Sequence, residues 1–122
     1  MAHTLSAYYD MPHGKACATL LPAVMAYNAE ATGEKYREIA RAMGVQGVDS
    51  MTQEEYRKAA IDAVKQLSID VKIPQTLAEI GVKEEDLEAL TDAAMADVCT
   101  GGNPRPCTWE EVLGVYKTAF GK

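Results

Sequence analysis

The stretch TQEEYRKAAIDAVKQLSID, residues 52–70, decides the fold class, because both its start and its interior carry helical signals. Thr52 and Glu55 stand three positions apart, the spacing at which a hydroxyl and a carboxylate each accept from a free amide at a helix start. Behind them Ala60, Ile61, Val64 and Leu67 recur at spacings of three and four, which predicts one buried helical face. Pro74 ends that pattern, since it has no amide hydrogen to give and crowds the preceding turn.

The same grammar extends in both directions. Downstream, Gly81 closes a short turn, and the acids of KEED, residues 83–86, fall in the first turn of the next helix, where the macrodipole favours them. Leu87, Leu90, Ala94 and Val98 are its expected apolar stripe. The cluster TGGNPRP, residues 100–106, breaks any regular element. Thr108 and Glu111 then repeat the capping box ahead of a last helix carrying Val112, Tyr116 and Ala119 or Phe120 inward. Upstream, an Ala-rich run from His13 to about Ala31 predicts a largely buried helix that Pro22 bends. Past Gly33, Tyr36, Ile39, Ala40 and Met43 are expected to face inward, with Gly44 as a C-terminal cap. No segment alternates with period two. The expectation is an all-α, multi-helix bundle of about six or seven helices, forming a single domain over residues 1–122.

Composition narrows the function. A net charge of −6 with dispersed basic residues argues against nucleic acid as a partner, since phosphate backbones call for clustered Lys and Arg. The longest apolar run, Ala16 to Ala26, is too short for a bilayer and contains Thr19 and Pro22, so no membrane association is expected. Cys17, Cys99 and Cys107 are odd in number and lack the spacing of a zinc ribbon or disulfide framework, and no secretory signal is visible; a reducing cytoplasm follows as the expected compartment. Cys17, one turn beyond His13, is expected to be a small core residue.

The candidates for chemistry are His3 and His13, the only two histidines, with Pro12 between them. On one continuous helix their rings would point in different directions. A turn at Pro12, with His13 opening a second helix, permits a shared site instead. The acidic pairs Glu54–Glu55, Glu84–Glu85 and Glu110–Glu111 all fall at helix starts, where capping explains them without acid–base catalysis.

Taken together, MAHTLSAYYDMPHGKACATLLPAVMAYN, KYREIARAMGV, IPQTLAEIGVKEEDLEAL and DVCTGGNPRPCT resemble, in order and across essentially the whole chain, the C-terminal helical domain of iron-containing (group III) alcohol dehydrogenases, nearest their lactaldehyde and diol branch. The resemblance implies a family fold in which an N-terminal nucleotide-binding domain, absent from these residues, faces this domain across a cleft holding divalent iron, or zinc, and NAD(P). It implies His13 as a metal ligand, one of an aspartate and three histidines. It implies His3 as a neighbour of metal and nicotinamide, with a catalytic proton-relay or cofactor-positioning role, and Cys99 as a substrate-pocket residue. The expected partners are the nucleotide-binding domain, a small alcohol or aldehyde, and a second copy in a homo-oligomer. With one ligand of four, the isolated chain is expected to be inactive and to bind no cofactor stably. The alternative is a stand-alone helical interaction module that keeps the fold without catalysis.

Overall fold

A computed structural model describes residues 1–121. Six α-helices occur among these residues, with short 3₁₀ turns between them and no strand: α1 Ala2–Tyr9, α2 His13–Asn28, α3 Lys35–Ala42, α4 Gln53–Asp70, α5 Leu87–Ala96 and α6 Trp109–Phe120. Both capping boxes form. The Glu55 amide donates to Thr52 Oγ1 and the Thr52 amide to Glu55, and Glu111 and Thr108 repeat the exchange at the start of α6. Replacing Thr108 with alanine leaves one of these amides without its acceptor. The expected cost is about 1 kcal/mol, read as a drop of a few degrees in the thermal unfolding midpoint.

Helix α2 is the shared wall of two hydrophobic clusters. Ala16 and Leu20 join Leu5 of α1, Leu87, Leu90 and Ala94 of α5, and Val112, Tyr116 and Ala119 of α6 in the larger one. Met25, near its other end, packs with Tyr36 and Ala40 of α3, Val48, and Tyr56 and Ala60 of α4. The helix runs unbroken through Pro22, whose missing amide hydrogen leaves the Ala18 carbonyl without its usual intrahelical donor. The segment between α4 and α5 is tied to the end of α6 by the Leu77 amide, which donates to the Ala119 carbonyl at 2.8 Å. Gly44, expected as a cap, has φ of +87°, the left-handed turn that ends α3.

Four inward assignments from the sequence are corrected. Leu67 is exposed because the inward position at the end of α4 belongs to Ser68, whose hydroxyl donates to the Val64 carbonyl and so needs no further partner. Val98 is 94% exposed, because α5 stops at Ala96 and the chain turns away two residues before the stripe would continue. Met43 lies one residue beyond α3 and is exposed there. Cys17 is exposed as well: Ala16, Thr19 and Leu20 occupy the buried face, and Cys17 lies about 100° around the helix from Ala16.

Candidate active-site cleft

The turn between α1 and α2 places both histidines. Asp10 ends α1 in the left-handed conformation, with φ of 49°, and Pro12 caps α2, its carbonyl accepting from the Lys15 and Ala16 amides at 3.1 Å. An aspartate tolerates that conformation better than a branched residue would. The chain therefore reverses within Asp10–Pro12, and His13, the first residue of α2, comes back over His3 in the first turn of α1. Their rings stack at a centroid distance of 5.1 Å and an interplanar angle of 25°.

Helix α1 is held at both ends. Thr4 Oγ1 donates to the Met1 carbonyl at 2.7 Å, and the Tyr116 hydroxyl of α6 lies 2.6 Å from Thr4 Oγ1 and 3.1 Å from the same carbonyl. Burial pushes the Tyr116 phenol up to about 12, so it stays neutral in this core position. At the far end the Tyr9 hydroxyl donates to Asp86 and accepts from the Lys83 amide at 3.1 Å. The register of His3 is thus set by Tyr116 of α6 at one end of α1 and by Lys83 and Asp86, just ahead of α5, at the other.

The loop after α5 supplies the rest of the cleft. Its backbone forms only the 3₁₀ turn Thr100–Gly102, and side chains pin the rest. Asn103 and Asn28 exchange reciprocal amide hydrogen bonds at 2.8 Å. The Arg105 guanidinium lies 4.3 Å over the Tyr27 ring, donates to the Tyr27 carbonyl at 3.0 Å and pairs with Glu111 at 3.3 Å. Glu111 is the hub: it caps α6 and accepts from Tyr27 and Arg105. The Thr108 backbone amide, followed by the Tyr27 hydroxyl, holds its carboxyl below the usual range.

A cavity of about 380 Å³ opens between these parts, lined by His3, His13, Tyr27, Asp97, Cys99 and Asn103 among others. All three residues singled out from the sequence, His3, His13 and Cys99, line it. His13 Nε2 has the Cys17 thiol 3.4 Å away, a weak hydrogen-bonding partner. His3 Nδ1 lies 2.8 Å from Asp97 Oδ2, and the other Asp97 oxygen accepts from the Cys99 amide, also at 2.8 Å. The Cys99 amide, then the His3 ring, holds the Asp97 carboxyl below its ordinary value. An ionised carboxylate can only accept, so Nδ1 is the nitrogen that carries the proton and Nε2 is left for other work.

Asp97 is the site residue that sequence reasoning missed. A signal was present: it lies just ahead of the breaker cluster TGGNPRP, hence near a helix C-terminus, where the negative end of the dipole disfavours an acid. In the structure it directly follows α5. A carboxylate in that position needs a donor to offset the repulsion, and the His3 ring and the Cys99 amide are those donors.

Residues 1–120 match the family described as "Fe-containing alcohol dehydrogenase family, C-terminal". The lactaldehyde reductase of Escherichia coli (strain K12) is 57% identical over 120 residues, covering 98% of this chain and 31% of the reductase. Among solved structures, 1,3-propanediol oxidoreductase superposes with a TM-score of 0.92 at 39% identity, over 98% of this chain and 31% of its own. The alcohol dehydrogenase from Oenococcus oeni gives 0.91 at 39% identity, over 97% and 30%. The chain thus spans about a third of the length of the relatives it matches. No helix among the described residues is long and apolar enough to cross a membrane.

Proposed function

The chain belongs to the Fe-containing alcohol dehydrogenase family, and on that premise we propose that it supplies the metal- and substrate-facing helical part of an enzyme interconverting small alcohols or diols and aldehydes with NAD(P). The observation that carries this reading is the stacked His3–His13 pair, backed by Asp97, at the mouth of the cavity. The donor chemistry fits a divalent iron: His13 offers an imidazole nitrogen whose neighbour, a thiol, is easily displaced. His13 is one ligand, and selective affinity comes from several held together, so the chain alone binds iron too weakly for catalysis.

When bound, the iron supplies Lewis acidity and the nicotinamide a hydride acceptor. The chain's own residues do the remainder. His3, with Nδ1–H held by Asp97, presents Nε2 as the acceptor for the substrate hydroxyl proton, and its side chain, 55% exposed, passes that proton to solvent. Cys99 flanks the substrate from the loop side. Val24, Val112 and Val115 line the cavity with apolar surface that limits water at the reacting carbon.

A chimera tests this. Residues 1–122 replace the matching part of the E. coli lactaldehyde reductase, and NADH-dependent reduction of lactaldehyde is measured after iron loading. The chimera is expected to turn over while the 122-residue chain alone does not. A chimera that folds, binds NADH and iron, and still reduces no small aldehyde would sink the proposal.

A further inference from the structure

The cleft holds a second set of donors besides His13. A ring nitrogen of His3, a carboxylate oxygen of Asp97 and Sγ of Cys99 all lie within 4.8 Å of one another. We propose that His3, Asp97 and Cys99 form a metal site of their own, distinct from the His13 position, that takes one thiophilic divalent cation, zinc foremost.

The donor set argues for this choice of ion. A nitrogen, an oxygen and a sulfur make three protein ligands, the number that leaves tetrahedral zinc a fourth position for water. A thiolate favours zinc over iron(II), magnesium or calcium, which prefer harder ligands or lie lower in the affinity order. Zinc bond lengths of about 2.0–2.3 Å place tetrahedral donors about 3.3–3.6 Å apart. The widest pair of donors therefore has to close by up to about 1.5 Å, while His3 and Asp97 are already near enough. The His3 side chain is 55% exposed and Cys99 is exposed, so small rotations bring them in without disturbing the core.

The backbone holds the site ready, and its field favours a cation. Asp97 and Cys99 are fixed relative to one another by the 2.8 Å bond from the Cys99 amide, and Thr100 Oγ1 donates to the Ala94 carbonyl at 2.5 Å, anchoring the turn to the end of α5. Asp97 follows the C-terminal end of α5, so its charge and the negative end of the helix dipole add at the same place. Binding replaces the His3 Nδ1–H···Asp97 hydrogen bond and the Cys99 S–H by bonds to the ion, releasing the thiol proton and any proton on the ring nitrogen used.

The site stands on its own donors, but it uses the same His3 that serves as proton carrier, so a bound ion blocks that relay. The test on the 122-residue chain separates the two readings. The full 122-residue chain is titrated with Co(II), whose sulfur-to-metal charge-transfer band reports a thiolate ligand and whose visible ligand-field bands report tetrahedral geometry. One equivalent is expected to bind with both signatures and to be displaced by Zn(II). Cys99→Ser is expected to lose the charge-transfer band, and Asp97→Asn to weaken binding at least about tenfold. His13→Ala and Cys17→Ser are expected to keep the full spectrum. Absence of the charge-transfer band in the wild-type chain, its persistence in Cys99→Ser, or its loss in Cys17→Ser or His13→Ala would overturn the proposal, the last two by moving the ion to the 3.4 Å His13–Cys17 pair.

Discussion

In the lactaldehyde reductase chimera, His13→Ala and His3→Ala are expected to fail in different ways. On the proposed role of His13 as a ligand, His13→Ala is expected to lose iron on purification, with activity falling by more than the about 10- to 100-fold seen when only a supporting contact is lost. His3→Ala keeps its iron and loses about 10²- to 10⁴-fold in kcat, the range of a single positioned proton carrier. Metal analysis and steady-state kinetics on the two variants check this. The rings stack on one another, so a purely structural role would make the variants alike. Equal iron content in wild type and His13→Ala would remove His13 from the ligand set.

The division between what could be read ahead and what could not follows the range of the forces involved. Capping is local: Thr52 with Glu55, and Thr108 with Glu111, act within one turn, and each forms as its spacing indicates. The stripe Leu87, Leu90 and Ala94 also holds, because a helix face needs only the helix to exist. Val98 and Leu67 continue their stripes on paper, but burial is decided by whether another element lies over that turn, and none covers Val98. The histidine pair was half legible. Pro12 signals a reversal, and His13 does open the second helix, yet no local rule fixes the angle at which α2 returns over α1.

Asp97 shows the same limit from the other side. Its partner His3 lies 94 positions away in sequence, so the ion-pair geometry exists only once α1 packs against α5. Its unfavourable place at a helix C-terminus was readable; the identity of the group that compensates was not. The loop TGGNPRP is similar. Glycine and proline announce an irregular segment, whereas the Asn28–Asn103 and Tyr27–Arg105–Glu111 contacts that make it a rigid wall depend on side chains from α2 and α6.

The largest effect on folding is expected from Leu5→Ala. Leu5 is 0% exposed and sits in the cluster where α1 meets α2, α5 and α6, so truncating it removes transfer free energy and leaves a cavity that rigid neighbours fill only in part. The cost is about 2–5 kcal/mol, a large share of the about 5–15 kcal/mol that stabilises a typical domain. Chemical denaturation followed by circular dichroism measures it, with Val98→Ala, at a 94% exposed position, expected to change stability by less than about 0.5 kcal/mol. Helix α1 is only eight residues long, too short to hold its shape without packing. Its other ties are the Thr4–Tyr116 and Tyr9–Asp86 hydrogen bonds, each a modest net contribution. Amides of α1 should therefore exchange with solvent faster in Leu5→Ala before those of α4 do, because Tyr56 and Ala60 belong to the other cluster. Since α1 carries His3, that local opening separates His3 from both Asp97 and His13, so the residue that most stabilises the first helix is also one on which the cleft depends.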